Sequence, residues 1–346
     1  MASLPTMRAA ILHGKRDVRI ENVPVPKPGP GEVLIRTKAA LTCGTDAKVY
    51  RRGYHARMIV PPAPFGHEMA GVIEEIGPWV DGWEVGAAVV PANSAPCGDC
   101  VPCRRGRPSL CDDLLFWNGA YAELACLPAR IVSKNLLRVD GVPFHKAAMV
   151  EPLACVVRGV DAVDLRPGDA VAVIGTGPIG LMFMHLAKQR GAHVIAVGRR
   201  AERLEKARQL GADTLIVAGE RDLAEAIRLE TSGGFGADLV IEAAGQPETV
   251  QAAVRAVRKG GTVNLFAGCV AGTTLSVDAS ALHYQEITLT STFHHTPESI
   301  RRALGLIRDG TLDPGRFIDG EAPLERVPEI LEEMGHGRQL KTVIVP

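Results

Sequence analysis

The stretch AVAVIGTGPIGLMFMHLA, residues 170–187, joins an apolar run to a glycine-rich turn and then to a second apolar run. The turn has the order G-x-G-x-x-G, and its residues are Gly175, Gly177, Pro178, Ile179 and Gly180. Between a strand and a helix, the first glycine of this order permits a tight turn and the second lets the backbone approach a pyrophosphate. The third allows close packing of a helix whose N-terminus faces the phosphates. The stretch therefore predicts a dinucleotide site rather than a glycine-rich turn without a ligand.

The sequence on either side of this turn divides into two patterns. From residue 160 to residue 293, apolar strands such as HVIAVG and ADLVIEAAG alternate with helical stretches such as AERLEKARQLG, which predicts a doubly wound parallel sheet, the Rossmann fold. Residues 1–159 contain short β-rich runs separated by Pro and Gly, and predict a β-rich domain. Residues 294–346 should return to that first domain, with the tail LKTVIVP as a strand. The predicted fold class is therefore α/β with two domains.

Composition and charge exclude several classes of protein. The chain has 346 residues, of which 46% are hydrophobic, so it can bury a large core. Its 39 basic and 39 acidic residues balance, which argues against nucleic acid or an anionic membrane as a partner. We find no signal-peptide pattern, and Gly and Pro interrupt the longest apolar region, so we expect a cytoplasmic protein whose thiols stay reduced.

Four cysteines lie close together in CGDCVPCRRGRPSLC, and they are Cys97, Cys100, Cys103 and Cys111. Their spacing, C-x2-C-x2-C-x7-C, suits four thiolates around one tetrahedral zinc, a closed site that shapes a loop and takes no substrate. An iron–sulfur cluster uses the same ligands and is the main alternative, and unrelated surface thiols are the other. We predict a structural zinc.

The end of the second Rossmann strand indicates the cofactor. A carboxylate for the ribose of NAD is expected about twenty residues after the glycine turn, but the sequence has Gly198, Arg199 and Arg200 there. Gly198 has no carboxylate to repel a 2′-phosphate, and two guanidinium groups can bind one. NADP is the predicted cofactor, with NAD as the alternative.

A second set of possible metal ligands is dispersed along the chain. CGTD contributes Cys43 and Thr45, FGHEMAG contributes His67 and Glu68, and VEPLA contributes Glu151. Each of these residues, taken alone, does not indicate a metal site. Together they offer sulfur, nitrogen and carboxylate ligands for a metal site distinct from the four-cysteine lobe.

These motifs resemble those of the zinc-dependent medium-chain dehydrogenase/reductase superfamily, the alcohol dehydrogenase group, over essentially the whole chain. The resemblance is carried also by MRAAIL, PFGHEMAGVIEEIG, GAYAEL and EPLACVVRGV. EPLA is most similar to the sorbitol-like polyol and sugar dehydrogenases, and CGTD is similar to threonine dehydrogenases as well. The resemblance implies a GroES-like catalytic domain with a structural-zinc lobe at about residues 93–115, and an active site in the cleft between the two domains.

The resemblance also assigns roles to individual residues. It implies that Cys43 and His67 bind a catalytic zinc, with Glu68 and Glu151 as exchangeable or water-mediated ligands, so that each chain holds two zinc ions. Thr45 matches the hydroxyl that takes the alcohol proton. Many relatives have a histidine as the proton relay where this chain has Lys48, and a lysine with a pKa of ~10.4 is a poor relay at neutral pH unless it is desolvated.

The expected activity is hydride transfer between a secondary alcohol (a polyol, a sugar or a related hydroxy compound) and NADP, through a zinc-bound alkoxide. The alternatives are an L-threonine-type amino-alcohol dehydrogenase that uses NAD and a non-catalytic NADP-binding sensor. A zinc-free quinone reductase conflicts with GHE and EPLA. The remaining thiols, Cys126, Cys155 and Cys269, are expected in the core, with Cys269 in FAGCV contributing backbone near the nicotinamide. The family resemblance implies a homotetramer, with a dimer as the alternative, acting on a small-molecule substrate.

Overall fold

A computed structural model describes residues 5–55, 57–335, 337 and 339–346, so the first four residues of the predicted catalytic domain lie outside the described residues. The chain forms two compact units. The first unit extends to Ala154 and resumes at His295, and the second comprises Cys155–His294. The first unit is thus built from two segments that flank the second unit in the sequence.

The first segment is rich in strands, which are β1 (Thr6–Gly14), β2 (Asp17–Pro24), β3 (Val33–Leu41), β4 (Ala63–Pro64), β5 (Glu68–Ile76), β6 (Ala88–Pro91), β7 (Ser94–Ala95), β8 (Leu115–Phe116), β9 (Leu124–Leu127) and β10 (Leu136–Arg138). Its helices are α1 (Gly44–Arg52), α2 (Val101–Arg104), α3 (Ala129–Asn135), α4 (Phe144–Ala147) and α5 (Val150–Asp161), which continues into the second unit. Strand β3 pairs with both β5 and β9. Lys38 is its one exposed residue, because a central strand is covered on both faces.

The second unit is a parallel sheet with helices between its strands. The strands are β11 (Ala170–Ile174), β12 (His193–Gly198), β13 (Thr214–Val217), β14 (Ala237–Glu242), β15 (Val257–Leu265) and β16 (Thr288–Ser291), and the helices are α6 (Pro178–Gln189), α7 (Ala201–Gln209), α8 (Leu223–Leu229), α9 (Pro247–Ala256) and α10 (Ala279–Tyr284). Their order in the sheet, β13-β12-β11-β14-β15-β16, is the Rossmann order 3-2-1-4-5-6. The prediction of a doubly wound parallel sheet is confirmed.

The glycine turn connects β11 to α6 as its spacing predicts. Gly175 has a φ of 117°, in the left-handed region that favours glycine. A Cβ on Gly180 would lie 1.8 Å from the Gly175 carbonyl oxygen, so a side chain at this position would push α6 off the turn. Helix α6 is then buried over most of its surface, from Gly180 to Ala187.

The second segment of the first unit contributes α11 (Pro297–Arg308), β17 (Gly320–Pro323), α12 (Val327–Gly335) and β18 (Thr342–Val345). Strand β18, in the tail LKTVIVP, pairs antiparallel with β3. The main sheet of this unit has the order β10-β6-β5-β3-β18-β17, with β9 on β3. None of the helices described here has the length and apolar character needed to cross a membrane.

Candidate functional site

Cys43, His67 and Glu68 form a tight cluster in the first unit. One ligand atom from each lies within 4.8 Å of the others. The pairing of β3 with β5 explains this proximity, because Glu68 lies opposite Leu41 in the register and Cys43 follows two residues later as the N-cap of α1. The sheet thus brings together three of the residues that the sequence predicts as ligands.

The imidazole of His67 is fixed by a chain of buried hydrogen bonds. Its Nδ1 lies 2.8 Å from Asp46 Oδ1, and the Tyr121 hydroxyl donates to Asp46 Oδ2 at 2.6 Å. Burial opposes a charge on His67, but the negative charges of Asp46 and Cys43 raise the pKa of His67 well above its usual value. The same field favours a metal cation on Nε2, because Asp46 occupies the other ring nitrogen and orients the ring.

Glu68 shows that the cluster suits a cation. The residue is fully buried, and its Oε1 has no hydrogen-bond partner among the described residues. Its Oε2 accepts from the ammonium of Lys341. A buried carboxylate oxygen without a partner is costly. A cation among sulfur, nitrogen and carboxylate donors would satisfy this oxygen, so the donor set fits zinc.

Glu151 is buried at the first turn of α5. Its Oε1 is 3.8 Å from His295 Nε2, which also lies 2.9 Å from Asn93 Oδ1. Burial raises the pKa of Glu151 to about 7, and the charges of His67 and Glu68 act on it as well. Glu151 thus interacts electrostatically with the cluster without belonging to its group of close ligand atoms, and its neighbour His295 is a residue for which the sequence analysis found no role.

The two predicted proton-transfer residues lie on α1. Thr45 is partly buried and its backbone N–H donates to Cys43 Sγ at 3.4 Å, so the residue lies directly against the cluster. Lys48 is exposed. Its side chain is therefore in contact with solvent.

The four cysteines of the lobe converge on one point, with one sulfur of each within 4.8 Å of the others. The distance from Cys111 Sγ to Cys97 Sγ is 3.4 Å, and that to Cys100 Sγ is 3.8 Å. Four sulfurs at 2.3 Å from a tetrahedral zinc would be about 3.8 Å apart. Backbone N–H groups of Asp112 and Cys103 lower the pKa of Cys100 to about 7, whereas burial raises that of Cys103 to about 12. A divalent cation would offset the repulsion of four thiolates, so the lobe fits a closed zinc site.

The loops at the carboxyl ends of the Rossmann strands pack against one another in the second unit. A Cβ on Gly175 would lie 3.0 Å from the carbonyl of Ala243, in the loop after β14. Glu242, which ends β14, is fully buried and accepts hydrogen bonds from the N–H groups of Ala244 and Gly245 and from the Thr249 hydroxyl. Sequence analysis missed this residue, although a glutamate closing the apolar run ADLVIE is a signal for a buried, loop-shaping carboxylate.

The structure places the remaining predicted cofactor residues at the same edge of the sheet. Gly198 ends β12, Arg199 is exposed and Arg200 is the N-cap of α7. A Cβ on Gly198 would lie 2.6 Å from Thr176 Cγ2 and 2.7 Å from Thr176 Oγ1. Gly198 is therefore needed for steric reasons as well as for its lack of charge. Cys269 is partly buried in the loop after β15.

Comparison with known proteins agrees with both units. Residues 29–137 match the family model described as the alcohol dehydrogenase GroES-like domain, and residues 178–309 match that described as zinc-binding dehydrogenase. The chain belongs to the zinc-dependent alcohol dehydrogenase family. It is an enzyme, with the GroES-like and Rossmann architecture predicted from its sequence.

Two curated relatives illustrate the range of this zinc-dependent family. The sorbitol dehydrogenase of Bacillus subtilis is 31% identical over 94% of this chain and 93% of its own. The L-threonine 3-dehydrogenase of Bacillus licheniformis is 33% identical over 96% of each chain. A solved structure described as a zinc-binding dehydrogenase from Sinorhizobium meliloti, bound to NADP, has a TM-score of 0.90 at 30% identity, covering 99% of this chain and 100% of that one.

Proposed function

We propose that the enzyme oxidises a secondary alcohol, such as a polyol, a sugar or a related hydroxy compound, with NADP as the hydride acceptor. Cys43 and His67 would hold the catalytic zinc, and Glu68 and Glu151 would be its exchangeable ligands. The observation that carries this proposal is the cluster of Cys43, His67 and Glu68, in which the buried Glu68 carboxylate has one oxygen without a hydrogen-bond partner among the described residues. The closed four-cysteine lobe would hold a second, structural zinc.

When bound, zinc supplies Lewis-acid chemistry, which lowers the pKa of an alcohol and polarises a carbonyl group. The residues of the chain orient the metal ligand and transfer the proton. Asp46 holds the His67 ring, and the Thr45 hydroxyl, next to Cys43, would accept the proton that the alcohol loses. As it accepts that proton, Thr45, which is partly exposed, would release its own hydroxyl proton to water.

NADP is supported by the end of β12. Gly175, Gly177 and Gly180 would bind the pyrophosphate against the N-terminus of α6. Arg199 and Arg200 would bind the 2′-phosphate, helped by the N-terminus of α7, which begins directly after them. The Sinorhizobium meliloti structure is bound to NADP, which is consistent with this assignment.

A second candidate activity is the oxidation of an amino alcohol of the L-threonine type with NAD. It is favoured by relatives named L-threonine 3-dehydrogenase, which are as similar to this chain as the sorbitol dehydrogenase of Bacillus subtilis. The two candidates share the metal centre and differ in the substrate and in the cofactor.

A spectrophotometric screen separates these candidates. Polyols, sugars, amino alcohols and simple secondary alcohols are each offered with NADP and with NAD, and formation of the reduced cofactor is followed. We expect turnover of a polyol or sugar with NADP. Turnover of L-threonine with NAD alone would favour the second candidate, and NADP binding with no turnover of any alcohol would favour a sensor.

Light scattering tests the proposed tetramer, and a monomer would contradict both the tetramer and the dimer.

A further inference from the structure

Lys341 is a buried cation at the metal centre. It is 3% exposed, and its ammonium donates to Glu68 Oε2 and to the carbonyl of Thr42 at 3.1 Å. Glu68 and Lys341 are 273 residues apart in the sequence. The contact therefore depends entirely on the return of the second segment to the first unit.

The backbone around Lys341 is held from several directions. The Thr342 N–H donates to Thr42 Oγ1 at 2.9 Å, and the Thr42 N–H donates to the Thr342 carbonyl at 3.1 Å. On the other side, the Asp319 N–H donates to the carbonyl of Lys341 at 2.8 Å. The sheet thus fixes the point from which the ammonium reaches Glu68, and the pair is not an accidental surface contact.

The ammonium acts on three of the predicted metal ligands. Glu68, Cys43 and Glu151 each interact electrostatically with Lys341. Lys341 contacts only Oε2 of Glu68, whereas Oε1 has no hydrogen-bond partner among the described residues and is the oxygen left for a metal. A metal at Cys43 and His67 would therefore share the Glu68 carboxylate with a competing cation of the chain itself.

We propose that Lys341 is a positioning residue that keeps Glu68 a weak, displaceable ligand of the catalytic metal. This inference rests on the proposed function of the cluster. By binding Oε2, the ammonium leaves one oxygen for the metal and offsets part of the charge that attracts a cation. A firmly bound Glu68 would occupy a position that an alcohol needs, because a catalytic zinc keeps an open site.

The test replaces Lys341 with Met, which has a similar length and no charge, in enzyme whose labile zinc is exchanged for Co(II). We expect Glu68 to bind the metal more firmly, which raises the coordination number and weakens the visible absorption of Co(II). Loss of this cobalt to a chelator should slow by about tenfold, the equivalent of one charge-assisted hydrogen bond. Lys341→Arg should restore both properties.

Three further variants exclude a merely structural role. Lys341→Gln, which keeps hydrogen bonding without the charge, should change the spectrum in the same direction even if the Met variant does not fold. Adding Glu68→Gln to Lys341→Met should reproduce the spectrum of Glu68→Gln alone, because the competing carboxylate is gone. Unchanged spectra and cobalt loss in the Met and Gln variants, or faster loss, would overturn the inference. If the wild type shows no cobalt spectrum that Cys43→Ser removes, the proposed metal centre itself fails.

Discussion

Replacing Gly198 by Asp should change the cofactor preference only when Thr176 is made smaller. A Cβ at position 198 would lie 2.6 Å from Thr176 Cγ2 and 2.7 Å from Oγ1. The two γ atoms of threonine occupy two of the three staggered positions around its Cα–Cβ bond. Both positions face Gly198, so any other rotamer still leaves one γ atom in conflict.

The steric cost of Gly198→Asp follows from the packing around Gly198. Adding atoms to a well-packed site typically costs about 1–3 kcal/mol, and Gly198 lies at the buried end of β12. We expect Gly198→Asp to lower the free energy of unfolding by this amount. Thr176→Ala removes both γ atoms and should recover most of the loss. Gly198→Ala isolates the steric part, because it adds the same Cβ without the charge.

The assay compares the wild type, each single variant and the double variant by urea unfolding and by cofactor titration. In the double variant, the new carboxylate can bond the 2′-hydroxyl of NAD and repel the 2′-phosphate of NADP. One charge-assisted hydrogen bond should lower the Kd for NAD roughly ten- to hundredfold relative to Thr176→Ala, and the Kd for NADP should rise.

Two results would refute this reasoning. If Gly198→Asp is as stable as the wild type, the predicted conflict with Thr176 does not exist. If the double variant keeps the wild-type preference, or if the wild type already prefers NAD, the end of β12 does not select the cofactor.

The other predictions concern the remaining parts of the site. Removing both guanidinium groups, in Arg199→Ala/Arg200→Ala, should weaken NADP binding by roughly a hundredfold or more and leave NAD nearly unaffected in titrations; an equal loss of both cofactors would contradict the 2′-phosphate assignment. Cys43→Ser should abolish turnover while NADP binding and the melting temperature stay close to wild type, and full turnover of the purified variant would exclude the metal centre. Cys100→Ser should lower the melting temperature and the zinc content by one per chain, because a closed site has a structural role; lost turnover at an unchanged melting temperature would argue the reverse. Tyr121→Phe should lower the free energy of unfolding by about 1.5–3 kcal/mol, because it removes a buried hydrogen bond to a carboxylate, and an unchanged urea midpoint would show that this bond contributes nothing.

The parts of the molecule that the sequence predicts well are those encoded by local patterns. The spacing of Gly175, Gly177 and Gly180 is sufficient to place a strand, a turn and a helix, because each glycine meets a requirement within the same few residues. The four cysteines of the lobe lie within fifteen residues, so their convergence also follows from the spacing.

The features that the sequence does not predict depend on distant contacts. Lys341 reaches Glu68 only because β18 pairs with β3, and His295 reaches Glu151 only because the chain returns to the first unit. From the sequence, Gly198 is explained only by its lack of a carboxylate that would repel the 2′-phosphate. Its steric conflict with Thr176 involves the neighbouring strand β11 and its turn, a contact that the sequence pattern does not reveal.

The contact of Asp46 with His67 had a local signal, since Asp46 follows Cys43 by three residues within CGTD. One turn of α1 carries the carboxylate from the N-cap to the ring of His67. The hydroxyl of Tyr121, by contrast, comes from GAYAEL, 75 residues away, and only the fold joins it to Asp46.

The most direct test of the proposed activity measures NADPH formation from the alcohol panel by the wild type, by the metal-stripped enzyme and by the stripped enzyme after zinc is returned. We predict that at least one secondary alcohol reduces NADP, that stripping the labile metal abolishes this activity and that zinc restores it in the wild type but not in Cys43→Ser. Undiminished turnover without the metal, or equal restoration in the Cys43→Ser variant, would contradict the assignment of Cys43, His67 and their neighbouring glutamates as the catalytic zinc centre.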